Sequence, residues 1–179
     1  GRRIDISTSR TEVYLKPGSL PDVKYGNIES DLYRRDFTIN SMAIELSAAR
    51  FGLLHSYHDG INDLKKGIIK VLNDDSFNDD PLRILRAIRF EQRFGFTIEK
   101  HTETLLLKSI ASQNLRTVSV ERVRTELVVS TSKGKATNFF ARLNELGVLK
   151  QLNESLVFES EKKKHSEEVD KIIDWFTAE

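Results

Sequence analysis

The 179-residue chain has no cysteine. That excludes disulfides and thiolate metal sites alike, and it fits a reducing cytoplasm, the expected location. No apolar run approaches the roughly 20 residues that a membrane span needs, so no membrane is expected among the partners. The start, GRRIDIST, shows no secretory pattern. No two of the nine glycines are adjacent, and neither a Gly-rich phosphate loop nor a Gly-x-Ser-x-Gly turn occurs. The four histidines, His55, His58, His101 and His165, lack metal-binding spacing. The acidic run DDSFNDD (74–80) lacks the central Gly of a calcium loop. It also has Leu85 where that loop needs Glu. A net charge of +1 excludes a basic glove for nucleic acid, so any nucleotide site must arise from local clustering.

What is present suits a globular protein: 39% hydrophobic and 31% charged residues. Residues 2–7 alternate polar and apolar, with Ile4 and Ile6 on one side, as a half-buried strand would. A strand that starts this early needs neighbours, and few candidates follow. The sequence therefore reads as a piece of a longer protein. IDIST (4–8) and EVYLK (12–16) are expected strands, and 17–27 is expected to be a loop because it holds two prolines and two glycines. SMAIEL (41–46) suits helix or strand, GLLHSYHDG (52–60) ends in a turn, and GIIKVL (67–72) reads as a strand. From about residue 79 the pattern is helical. Asp80 is the expected N-cap, Pro81 the first helical residue and Gly95 the stop. Further helices are expected at 99–112, 119–131 with Ser119 as cap, and 135–146 ended by Gly147. In the charged tail, Val169, Ile172, Ile173 and Phe176 form one apolar helical stripe.

Two clusters can carry chemistry. Arg83, Arg86, Arg89 and Arg93 share about a third of one helix face, at roughly 100° per residue, with Glu91 the single carboxylate among them. A solvated face is the bland reading. Arginine without lysine favours recognition of phosphates or base edges. Asp80 lies three residues before Arg83, so the two can pair. Asp only accepts and Arg only donates, so side by side they would match the amino donor and ring-nitrogen acceptor of cytosine or adenine. Guanine and uracil would not fit. A helix cap salt-bridged to Arg83 explains the spacing equally well. RRDFTIN (34–40) is the second cluster. Arg35 could meet a phosphate while Asp36 and Asn40 bond a ribose, or the group could form a charge network anchoring a turn. Asp5, between Ile4 and Ile6, could bind Mg²⁺ beside other carboxylates, or be an ordinary polar-face residue.

Together these segments resemble the class II tRNA nucleotidyltransferase and poly(A) polymerase family, which includes the CCA-adding enzymes. DLYRRDFTINSMAIEL (31–46) looks like its ribose-binding motif and DGINDL (59–64) like its flexible glycine motif. DDPLRILRAIRFEQRFGF (79–96) looks like its base-selecting motif and SVERVRTEL (119–127) like its neck motif. After residue 130 only RLNELGVL keeps a family flavour. Asp79 stands where the family has Glu, and Ser56 where the glycine motif begins with Asp.

The resemblance implies an α+β fold: the remainder of a mixed-sheet nucleotidyltransferase head (1–74), an all-helical neck with the base-selecting motif (75–133) and the start of a helical body or RNA-binding region (134–179). It implies that Arg35 contacts the triphosphate, Asp36 and Asn40 the ribose, and Asp80 and Arg83 the base of CTP or ATP. Arg86 and Arg89 would lie near the nucleotide, while Arg122 and Glu126 would brace the neck. Asp5 matches the family's third active-site carboxylate, a catalytic and metal-binding place. The implied reaction is Mg²⁺-assisted attack of the 3′-hydroxyl of tRNA or another RNA on the α-phosphate, releasing pyrophosphate. Addition of C and/or A to tRNA, poly(A) synthesis, and mere nucleotide or RNA binding by a fragment all stay open. The family's Gly-Gly and Asp-x-Asp motifs are absent from this sequence, so the piece alone is expected to be inactive on tRNA with CTP, ATP and Mg²⁺.

Overall fold

A computed structural model describes residues 4–131, 136–156 and 158. Its first part holds short strands in three pairs. β1 (Arg10–Val13) lies antiparallel to β2 (Asp22–Tyr25), with Arg10 opposite Tyr25 and Val13 opposite Asp22. Helix α1 (Ile28–Tyr33) follows, capped by the Asn27 side chain, which accepts from the Ser30 N–H. A 3₁₀ turn at Thr38–Asn40 leads to β3 (Met42–Ile44), antiparallel to β4 (Leu54–Ser56). After α2 (Gly60–Lys66), β5 (Ile68–Ile69) runs parallel to β6 (Thr97–Ile98).

Between β5 and β6 lie α3 (Ser76–Asp79) and α4 (Arg83–Phe94). The remaining helices are α5 (Lys100–Ala111), α6 (Val120–Thr131), α7 (Ala136–Glu145) and α8 (Val148–Leu152). Glu99 caps α5, its carboxylate accepting from the His101 and Thr102 N–H groups. Gly95 ends α4 in the left-handed conformation (φ 69°), which costs glycine nothing.

Helix α4 is the spine. Ile84, Leu85, Ala87 and Ile88 are fully buried, and each of the two isoleucines and the leucine contributes about 1.5–3 kcal/mol over exposure. They belong to one cluster that runs from Phe37 and Ile69 through Leu106, Leu127 and Phe140 to Phe158. The strand-bearing part and the helices therefore share a core. Phe37 is the hinge pin: it forms an antiparallel bridge with Val71 and an edge-on contact with Phe90 of α4, centroids 5.9 Å apart.

Several expectations need correction. Residues 4–9 form no strand, and Ile4 and Ile6 are exposed; β1 begins at Arg10 and ends before Tyr14. The expected loop at 17–27 contains β2, because its prolines and glycines occupy the turn and leave DVKY free to pair. GIIKVL contributes only Ile68–Ile69 and the Val71 bridge. SMAIEL resolves to strand. Helix α4 starts at Arg83, and Pro81 and Leu82 form a turn before it. The acidic run holds α3, which the sequence reading missed. The stripe from Val169 to Phe176 lies outside the described residues.

Candidate functional site

Helix α1 and the turn after it build the first wall of a cleft. Asp31 is buried on α1, accepting from the Arg10 N–H at 3.2 Å and from Arg34 Nε and Nη2 at 3.1 and 2.8 Å. Burial pushes the Asp31 carboxyl up. The Arg34 side chain, the Arg10 N–H and Arg35 outweigh that and hold it below its ordinary range. Arg34 also donates to Glu12 at 2.8 Å, so it is spent on the scaffold. Arg35 is exposed; it reaches the Asn40 backbone carbonyl at 3.3 Å and Asp31 at 3.3 Å, and lines the cleft.

Asp36 is buried and saturated. Oδ1 accepts from the Phe37 N–H and from Asn40 Nδ2, both at 2.9 Å. Oδ2 accepts from Arg86 Nε at 2.7 Å and lies 2.6 Å from Arg86 Nη2. A carboxylate has about four lone-pair directions, and protein donors fill them. Asn40 gives its amide N–H to Asp36, which leaves its carbonyl oxygen for a ligand.

Helix α4 and its preceding turn form the second wall. Arg83 is buried, donating to Ser76 Oγ at 2.7 Å and to the Arg34 carbonyl at 2.8 Å. The expected Asp80–Arg83 side-chain pair is therefore corrected: their bond is backbone, from the Arg83 N–H to the Asp80 carbonyl at 3.0 Å. Asp80 pairs instead with Arg122 of α6, whose Nη2 lies 3.0 Å from each carboxylate oxygen. Asp80 is still a cap of sorts, its Oδ1 accepting from the Leu82 N–H at 3.3 Å.

The cleft has a volume of about 460 Å³ and brings together Arg35, Asp36, Asn40, Asp80, Arg83 and Arg86. These come from two motifs some forty residues apart. Glu12, Tyr14, Arg34 and Phe90 complete the lining. Their signal was weak. Glu12 and Tyr14 stand at i, i+2 in the expected strand 12–16, of which only Glu12 and Val13 are strand, and Phe90 reads as plain core. Tyr14 donates to Glu12 at 2.9 Å. Burial first, and then that bond, push its phenol up to about 12, so it is a neutral donor near pH 7. Four arginines against three carboxylates leave the lining with a positive excess, which suits an anion.

Arg89 does not line this cleft. Its Nε lies 3.1 Å from Glu126 Oε1, without hydrogen-bond alignment, and its guanidinium rests 4.9 Å over the Phe90 ring. Burial raises the Glu126 carboxyl, against the pull of Arg89 and Arg86. Glu126 thus braces α4 against α6. Asp5 lies in the exposed segment before β1, on no strand and outside the cleft lining. Among the described residues no group of three or more His, Asp or Glu could hold a metal ion. The donor set present does not fit the expected Mg²⁺. No described helix is long and apolar enough to cross a membrane.

Two family models match: the poly(A) polymerase head domain over residues 1–70, and the "Probable RNA and SrmB- binding site of polymerase A" over residues 95–158. The chain is 39% identical over 176 residues to an A-adding tRNA nucleotidyltransferase of Geobacter sulfurreducens, covering 98% of this chain and 20% of that protein. A CCA-adding enzyme solved in apo form II is similar with TM-score 0.82 at 46% identity, covering 87% of this chain and 37% of the other. A CCA-adding enzyme solved with CTP is similar with TM-score 0.70 at 45% identity, covering 74% and 32%. The chain thus spans about a fifth of the curated relative and about a third of the solved ones.

Proposed function

Because the chain belongs to the class II tRNA nucleotidyltransferase and poly(A) polymerase family, we propose that it supplies the nucleotide-selecting part of an enzyme adding C and/or A to tRNA 3′ ends. The substrates are CTP or ATP and the RNA terminus. In the reaction the RNA 3′-hydroxyl attacks the α-phosphorus, the bond to the pyrophosphate leaving group breaks, and the hydroxyl proton is lost. Magnesium enters only through the family resemblance.

Each cleft residue then has a task. Arg35, exposed at the mouth, takes the triphosphate, where its planar fork suits phosphate oxygens. Asn40 offers its carbonyl oxygen to a ribose hydroxyl. Asp36 reaches the sugar through Asn40 and holds Arg86 beside it. Asp80 accepts from the exocyclic amino group of cytosine or adenine, and Arg83 donates to the adjacent ring nitrogen. Uracil and guanine would present a carbonyl to the Asp80 carboxylate, acceptor against acceptor. Phe90 closes the apolar side.

The observation carrying this reading is the convergence of RRDFTIN and the start of α4 on one cleft. Titrating the chain with CTP, ATP, GTP and UTP by calorimetry tests it. CTP and ATP should bind at least tenfold more tightly than GTP and UTP; four equal affinities would overturn it.

A further inference from the structure

We propose that Arg122 is a specificity-determining positioning residue: it fixes the orientation of the Asp80 carboxylate so that one acceptor faces the base. This rests on the nucleotide-selecting reading above. Arg122 comes from α6, 42 residues beyond Asp80, and its Nη2 bonds both Asp80 oxygens at 3.0 Å. The Leu82 N–H takes a second direction on Oδ1 at 3.3 Å. Of about four lone-pair directions, one on Oδ2 is left. One is what an exocyclic amino proton needs. Without Arg122 the long Leu82 N–H bond alone would restrain the carboxylate about its last torsion, which is broad for Asp. Arg83 does not hold it: its guanidinium bonds Ser76 and the Arg34 carbonyl, and it meets Asp80 through its backbone N–H.

Arg122 is itself anchored. Its Nη1 donates to the Gly18 carbonyl at 3.3 Å. Gly18 has φ +71°, and a Cβ there would overlap Thr117 Oγ1 and crowd its backbone. Only glycine allows the loop that close to the neck, which lets the carbonyl meet Arg122. The β1–β2 loop, the turn before α4 and helix α6 thus converge on one guanidinium. A residue that only braced two helices would need neither the bond to a cleft carboxylate nor the buttress from the loop.

The test is calorimetry of wild type, R122A, R122Q and R122K with CTP, ATP, GTP and UTP, alongside thermal melts. In R122A the preference for CTP over UTP and ATP over GTP should fall at least tenfold, while UTP and GTP affinities move less than threefold. R122K, which keeps the charge, should recover most of the preference, and R122Q less. Should R122A not fold, the graded ratios of R122K and R122Q decide. Full preference in the folded variants, or an equal loss for all four nucleotides, would overturn the inference. Wild type binding all four alike would instead overturn the nucleotide-selecting reading, and this inference with it.

Discussion

Arg83 divides its five N–H donors between scaffold and cleft. Three contacts, to Ser76 Oγ, the Ser76 carbonyl and the Arg34 carbonyl, leave at most part of the fork for a ligand. Arg83→Ala should therefore lower the melting temperature and also cost roughly 1–3 kcal/mol of the CTP-over-UTP preference, the price of an unmet hydrogen bond at the base. Paired melts and titrations separate the two effects, and an unchanged preference would exclude Arg83 from base reading. Asp31 gives a pH prediction. Its folded carboxyl is held below the ordinary value of 3.8. Its contribution is thus present above pH 3.8 and lost as pH falls through the lower folded value. Urea unfolding should show Asp31→Asn well below wild type at pH 7, with the gap closing as pH drops under 3.8.

At the scale of elements, the turn before α2 is the tightest fit. Asp59 has φ 58°, and a Cβ on Gly60 would overlap the Thr38 carbonyl. Thr38 Oγ1 donates to the buried Asp63 at 2.6 Å, so neither side can retreat. Gly60→Ala should destabilise by roughly 1–3 kcal/mol, measurable as a lower urea midpoint at unchanged slope. Helices α4 to α7 were legible because their signals are local: Gly95, Gly147 and apolar spacing. Strand β2 was hidden because four exposed residues between a Pro-Gly turn and Gly26 carry little pattern. The strand expected at IDIST fails because alternation alone supplies no partner. Within the site, RRDFTIN and the α4 arginines stood out by composition. Arg122 at Asp80, Arg86 at Asp36 and Arg83 at the Arg34 carbonyl are 42 to 50 residues apart in the chain, and no local signal reports such pairs.

Over the whole molecule, the single core predicts cooperative unfolding. Phe37 is fully buried between Val71 and Phe90, at the junction of strands and helices. Phe37→Ala should cost about 3–5 kcal/mol. Far-ultraviolet ellipticity and near-ultraviolet aromatic signals should still move together through one transition. Separate midpoints would show that the strand-bearing part and the helices melt independently. The pair Arg86–Asp36 adds a polar clasp across the same junction, backed by Glu126 at 3.9 Å from Arg86.

Helix α4 sets an interval as well as a direction. Arg83 and Arg86 stand one turn apart, and the opposite flank is locked by Ile84, Leu85 and Ile88. Inserting one residue between the arginines would swing the second by about 100° relative to the first. Either the guanidinium would leave Asp36 or the hydrophobic flank would leave its bed. Length along this stretch is thus as inflexible as the identity of its two arginines, and changes in chain length find room in exposed connections such as residues 47–52.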